Sequence, residues 1–142
     1  MRVYLDSNVF ISFVKSEIDG AFNLRFVQAE DFFSFCRGKK IGIVLSDHFL
    51  FEVAKIAFSD KKSVEKLFLC LGVSVEFVKD ASSEQAKIVS QKTGIHRADA
   101  VHVAAALESN CNAIVSWNKK DMEKAGRLIS CFTPLEFVQG TL

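Results

Sequence analysis

Ile95-His96-Arg97-Ala98-Asp99-Ala100-Val101-His102-Val103-Ala104-Ala105-Ala106-Leu107, then Glu108-Ser109-Asn110, then Cys111-Asn112-Ala113-Ile114-Val115-Ser116 and Trp117-Asn118-Lys119-Lys120-Asp121, is the stretch whose reading decides the fold. Its first part predicts a helix of small residues with a carboxylate, Asp99, in the opening turn. A polar break ends that helix. Ala113 to Val115 then predict a short buried strand whose end runs into a polar loop carrying a second carboxylate, Asp121. Helix N-termini and the C-terminal edges of parallel strands are where α/β proteins place their sites.

Outward from that unit the same alternation recurs. Val3-Tyr4-Leu5 is an apolar run that stops at Asp6-Ser7-Asn8, which suits a buried strand with polar groups at its C-terminal end. Helical spacing resumes at Val9-Phe10-Ile11, and a longer helix is expected from about 21 to 37, closed by Arg37-Gly38-Lys39-Lys40. Ile41 to Leu45 predict a second strand, followed by a helix over about 47–58 that Ser46 caps and that carries Glu52. Ser63 is expected to cap a helix ending at Gly72. Val73 to Val78 form a third strand, and Asp80 caps a helix that Gly94 ends. Beyond Asp121 come a short polar helix, a fifth strand over 128–132, and Thr133-Pro134-Leu135-Glu136, a capping box with proline at the first helical position. The order argues for an α/β fold, a three-layer α/β/α sandwich on a mostly parallel five-stranded sheet, with residues 1–142 as a single domain.

Composition narrows the function classes. Lysine and arginine total 18 against 17 aspartates and glutamates, so no whole-molecule cationic field exists and any nucleic-acid surface must be local. The four cysteines, Cys36, Cys70, Cys111 and Cys131, are widely spaced in apolar runs with no zinc-type pairing, and read as buried thiols in a reducing compartment. Asp6 interrupts the opening apolar run, and no apolar stretch reaches the ~18 residues of a membrane span. A cytoplasmic protein with no membrane association is expected.

A parallel sheet gathers its strand C-termini on one edge. Asp6, Asp99 and Asp121 are expected to converge there, and Glu52, about two turns into its helix, is long enough to reach the same cleft. Four carboxylates so close would resist ionising together unless a cation joined them. An all-oxygen donor set suits magnesium or manganese rather than zinc, and such ions serve phosphoryl-transfer hydrolysis. His102, three residues after Asp99, shares its helix face and is expected to hydrogen-bond within the fold. His48 and Glu52 stand at i, i+4, a spacing that suggests zinc, but the sequence offers no second histidine beside them.

Leu5-Asp6-Ser7-Asn8-Val9-Phe10-Ile11, Glu52, Arg97-Ala98-Asp99-Ala100-Val101-His102, Ser116-Trp117-Asn118-Lys119-Lys120-Asp121 and Phe132-Thr133-Pro134-Leu135-Glu136-Phe137 occur in the order and spacing of PIN-domain proteins. The chain most resembles the VapC-type toxins. That resemblance implies a metal-dependent endoribonuclease with Asp6, Glu52, Asp99 and Asp121 as its acidic quartet. Asp6, Asp99 and Asp121 would hold Mg2+ or Mn2+, and cleavage would leave a 5′-phosphate and a 3′-hydroxyl. It also implies homodimerisation and inhibition by a cognate antitoxin.

Ser7 and Ser116 stand where the family more often has threonine, and with Asn118 they are expected to hydrogen-bond around the acids. Some family members carry the fourth acid at the position of Asn118 and others at that of Asp121. Arg97, Lys119 and Lys120 flank the expected cleft as candidates for RNA phosphates, and Trp117 as a candidate for base stacking. The phenylalanines between Phe22 and Phe35 exceed what one helix face needs, and serve either the core or a partner groove. The rival reading is a PIN scaffold that binds RNA or a protein without cutting.

Overall fold

The protein is described here by a computed structural model covering residues 1–140; Thr141 and Leu142, the end of the expected 1–142 unit, lie outside the described residues. Five strands, β1 (Arg2–Leu5), β2 (Gly42–Ser46), β3 (Val75–Val78), β4 (Ala113–Val115) and β5 (Ser130–Phe132), form one sheet in the order β3-β2-β1-β4-β5. Every pairing is parallel. The helices are α1 (Ser7–Val14), α2 (Arg25–Lys39), α3 (Asp47–Ala57), α4 (Lys61–Leu71), α5 (Ser83–Thr93), α6 (Arg97–Glu108), α7 (Lys119–Met122) and α8 (Pro134–Gly140), with a 3-10 turn at Glu123–Ala125.

Successive side chains of a strand point to opposite faces, and here both faces are covered, so the central strands are apolar throughout. Val3 and Leu5, Ile43 and Leu45, and Ala113 and Val115 enter one core layer. Tyr4, Val44 and Ile114 enter the other. The result is the expected α/β/α sandwich.

Local signals behave largely as their chemistry dictates. Ser46 caps α3 by accepting the Phe49 amide at 3.2 Å. Thr133 and Glu136 form the reciprocal capping box, with the Thr133 amide on Glu136 Oε1 at 3.0 Å and the Glu136 amide on Thr133 Oγ1 at 3.2 Å. Gly72 and Gly94 close α4 and α5 in the left-handed conformation, with φ of 72° and 73°. Other expected ends shift. Asp60 rather than Ser63 caps α4, since its carboxylate accepts the Ser63 amide at 2.8 Å. Ser82 rather than Asp80 caps α5, and Asp80 accepts the His48 amide at 2.8 Å. Helix α2 runs through Gly38 to end at Lys40, itself left-handed. Of the cysteines only Cys36 is buried; Cys70 is exposed and the other two are half-buried, all four as free thiols.

The chain builds β1, then moves outward through β2 and β3, and crosses back to β4 and β5. Between β1 and β4 the direction of winding reverses. A crevice opens at such a reversal, beyond the strand C-termini.

Candidate functional site

Asp6 stands at that reversal. It follows the last residue of β1 and caps α1, and its backbone amide donates to the Val115 carbonyl at 3.0 Å, prolonging the β1–β4 pairing. The residue is buried, only 5% exposed. Ser116 Oγ donates to Asp6 Oδ2 at 2.7 Å, and the Asn8 amide approaches Oδ1 at 3.4 Å. Ser116 Oγ also accepts the Asn8 side-chain amide at 3.2 Å and the Asn118 backbone amide at 3.0 Å. The Asn118 side-chain amide in turn donates to Asp99 Oδ2 at 3.2 Å. One hydrogen-bonded run therefore links the end of β1, the end of β4 and the first turn of α6.

Burial raises the Asp99 pKa above the usual carboxylate value, and the nearby charges of Asp6 and Asp121 add to the rise while His102 and His96 oppose it. Asp99 is thus close enough to both Asp6 and Asp121 to be repelled by each. Asp121 lies in the short helix α7 rather than in a loop.

Glu52 joins the group through its neighbours. Its Oε1 accepts Ser7 Oγ at 2.8 Å and pairs with His102 Nε2 at 2.7 Å. His102 Nε2 also lies 3.6 Å from Asp6 Oδ1. Burial works against the charge on Glu52, but the hydrogen bond and charge of His102, with Ser7 and His48, hold its pKa below the usual value. For His102 burial opposes the charged form, and Asp6, Glu52 and Asp99 outweigh it, so its pKa is raised. Deeper still, the Tyr4 hydroxyl sits 2.5 Å from His102 Nδ1 and 2.6 Å from Ser46 Oγ.

The basic and aromatic candidates are less free than the sequence suggests. Lys119 pairs with Glu136 and lies 3.6 Å from Glu123. The hydrogen bond that Lys119 donates to Glu136 is the main cause of its raised pKa. Trp117 donates its indole N–H to Ser12 Oγ at 2.8 Å and carries the Arg25 guanidinium 5.1 Å from its ring centre. Arg97 donates to the Ser83 carbonyl at 3.2 Å, and Lys120 is exposed.

Sequence reasoning missed a cluster. His48 and Glu52 do acquire a second histidine, because α6 delivers His102 beside them. One ligand atom from each of the three lies within 4.8 Å of the others. The signals were the i, i+4 spacing of His48 and Glu52 and the i, i+3 spacing of Asp99 and His102, which mark faces but not that two helices from distant parts of the chain would bring those faces together.

Residues 3–128 match the PIN domain family. No curated protein matches the chain in sequence. Among solved structures, VapBC-1 from nontypeable Haemophilus influenzae superposes with a TM-score of 0.59 at 17% identity, covering 94% of this chain and 98% of that one. VapBC2 from Rickettsia felis, bound to a DNA fragment from their promoter, gives 0.55 at 14% identity, over 94% and 98%. A PilT N-terminus domain protein from the archaeon Sulfolobus solfataricus P2 gives 0.54 at 14% identity, over 100% and 94%. At these identities the likeness to the solved structures is one of fold. The family match runs from β1 to Leu128, past Asp121 and across the whole acidic edge, and this chain therefore belongs to the PIN domain family.

Proposed function

We propose that the protein is a metal-dependent endoribonuclease of the VapC type, hydrolysing RNA phosphodiester bonds with Mg2+ or Mn2+ as the toxin of a toxin-antitoxin pair. The observation that carries this reading is the gathering of Asp6, Asp99 and Asp121 at the sheet reversal, with Asp99 raised in pKa by burial and by the other two. One buried and two half-buried carboxylates, with Asp99 repelled by the other two, fit a hard divalent cation. Asp6, Asp99 and Asp121 would hold it, and Glu52 would complete the catalytic set. When bound, such an ion supplies neutralisation of phosphate charge and acidification of water.

The chain's own groups supply the rest. Ser116 and Asn118 orient Asp6 and Asp99, each fixing one carboxylate oxygen. Ser7 aligns Glu52, and His102 keeps it ionised, so that it can accept a proton. Asn118 donates an amide hydrogen to Asp99 and brings no charge, which favours Asp121 as the fourth acid. Lys120 and Arg97 are the more available partners for RNA phosphates. Lys119 must leave Glu136 to serve, and Trp117 can stack a base only on the ring face that Arg25 leaves open. The cognate antitoxin, the homodimer, the cytoplasmic setting and residues 1–142 as one unit belong to the same reading. It is supported by the fold shared with the VapBC structures; among the described residues no helix is long and apolar enough to cross a membrane.

The test is cleavage of a mixed structured RNA by purified protein with manganese, with magnesium and with chelator, beside Asp6→Asn. The wild type should cut only with metal, and the variant should fall by about a hundredfold or more, about 2.7 kcal/mol of barrier. No cutting, together with no manganese binding by calorimetry, would overturn the nuclease in favour of a PIN scaffold that binds RNA or protein without catalysis.

A further inference from the structure

We propose that His48, Glu52 and His102 form a second metal site, one that takes a late first-row divalent ion such as zinc rather than the magnesium or manganese of the acidic edge. His48 lies in the first turn of α3, Glu52 one turn further on, and His102 reaches them from α6. Two imidazoles and one carboxylate are a donor set that zinc favours and magnesium does not.

The geometry is near what such an ion needs. With bonds of about 2.0–2.1 Å, the ligand atoms of a tetrahedral zinc stand about 3.3 Å apart. Glu52 Oε1 lies 2.7 Å from His102 Nε2 and 3.7 Å from His48 Nε2, two separations that bracket that value, and one ligand atom from each of the three residues lies within 4.8 Å of the others. The two imidazole rings are 4.8 Å apart between centres, inclined at 60°. His48, the more exposed of the two histidines, is the freer of them to move and close the set.

Two further observations point to a ligand. His48 Nε2 is buried yet has no hydrogen-bond partner, an orphan that a metal ion would satisfy. His102 is held from behind, because its Nδ1 meets the Tyr4 hydroxyl, which meets Ser46. A histidine whose outer nitrogen is fixed by a polar partner presents its other nitrogen as a directed ligand. When an ion binds, Nε2 gives up to solvent the proton it shares with Glu52 and offers its lone pair to the metal, while Nδ1–H donates to the tyrosine oxygen.

Glu52 cannot serve both sites at once. An ion on the histidines draws its carboxylate away from Asp6 and Asp99, so zinc inhibits cleavage. This consequence rests on the proposed nuclease; the binding does not.

Cobalt(II) titration of the whole protein, followed by visible absorption and by zinc displacement, tests the site. Wild type should develop the intense bands of tetrahedral cobalt and lose them to one equivalent of zinc. His48→Ala should lose the bands, and its zinc affinity should fall at least about a hundredfold, the upper end of what loss of even an outer metal partner causes. Its circular dichroism and manganese affinity should not change. Asp6→Asn should keep the bands. Equal zinc binding by wild type and His48→Ala, only weak octahedral bands in wild type, or loss of the bands in Asp6→Asn would each overturn the site. In manganese-driven RNA cleavage, zinc should inhibit wild type and spare His48→Ala; equal inhibition of both would overturn the regulatory consequence. If no RNA is cut at all, the nuclease reading fails while the cobalt spectra still decide the site.

Discussion

On one face of the sheet, Phe10, Phe32, Phe33, Phe49, Phe68 and Phe137 fill the layer beneath α1 to α4 and α8; on the other, Ala86, Ala100, Ala104, Ala105 and Ala106 line it beneath α5 and α6. The phenylalanines meet edge to face, Phe33 on Phe68 at 5.4 Å and Phe32 on Phe137 at 5.5 Å, a packing that adds to simple burial. The alanines contribute little area each, but they let a helix backbone come close to its neighbours. Helix α6 uses that closeness to bring Asp99 and His102 to the end of β1, where His102 meets Tyr4 and Glu52. Bulk on one face therefore holds the fold, while smallness on the other positions Asp99 and His102.

Truncating a ring should separate the two roles most clearly. Phe33 is buried and touches Phe13, Phe32 and Phe68. Phe33→Ala should cost about 3–5 kcal/mol in urea unfolding, from lost burial and the cavity left behind. Manganese affinity of the protein that remains folded should stay within twofold of wild type. Weakened manganese binding in that folded fraction would show that the phenylalanine layer shapes the site after all.

The converse change comes next in size. Ala106 is fully buried on α6, four residues after His102 and seven after Asp99, so it lies on the same helix face. Ala106→Leu should cost about 1–3 kcal/mol by overpacking. By displacing α6 it should weaken manganese binding despite the smaller loss of stability. Unchanged metal affinity would mean that the close approach of α6 is not what places Asp99.

These two faces were unequally legible in the sequence. The strands, their order of appearance and the polar residues that end the three central ones follow from short apolar runs that break at Asp6, Ser46 and Ser116, because a strand buried on both faces must be apolar and its end must not be. The Thr133–Glu136 box was readable for the same local reason. Helix caps were less so: Ser63 and Asp80 each stand near another capping residue, and which one caps depends on where the chain enters the helix. The His48–Glu52–His102 cluster was out of reach, since it depends on the contact of α3 with α6, elements some 50 residues apart whose approach no local pattern encodes. Lys119 also read as a free cation, and only the fold brings Glu136 to it.

That last pair joins the faces. Glu136 caps α8, whose Phe137 enters the phenylalanine layer, and its carboxylate also holds Lys119 beside the acidic edge. Burial disfavours its charge, but Lys119 and the Thr133 amide and hydroxyl together outweigh it and keep its pKa below the usual glutamate value. A carboxyl with a lowered folded pKa binds fewer protons folded than unfolded, so its contribution is present above the unfolded value near 4.5 and is lost as pH falls through the folded one. Glu136→Gln keeps an oxygen for the Thr133 amide and removes only the charge. Because the two side chains are 31% and 40% exposed and so screened by solvent, the stability lost at pH 7 should be about 0.2–1 kcal/mol, the smallest of the three effects. The difference between wild type and variant in urea unfolding should shrink as the pH is lowered below 4.5, whereas a difference that stays constant through the acid range would make the residue's role one of packing rather than charge. Lys119 released by the substitution should hold RNA phosphate more readily, so Glu136→Gln should bind RNA at least as tightly as wild type at low salt; weaker binding would mean that the ion pair itself orients Lys119 for RNA.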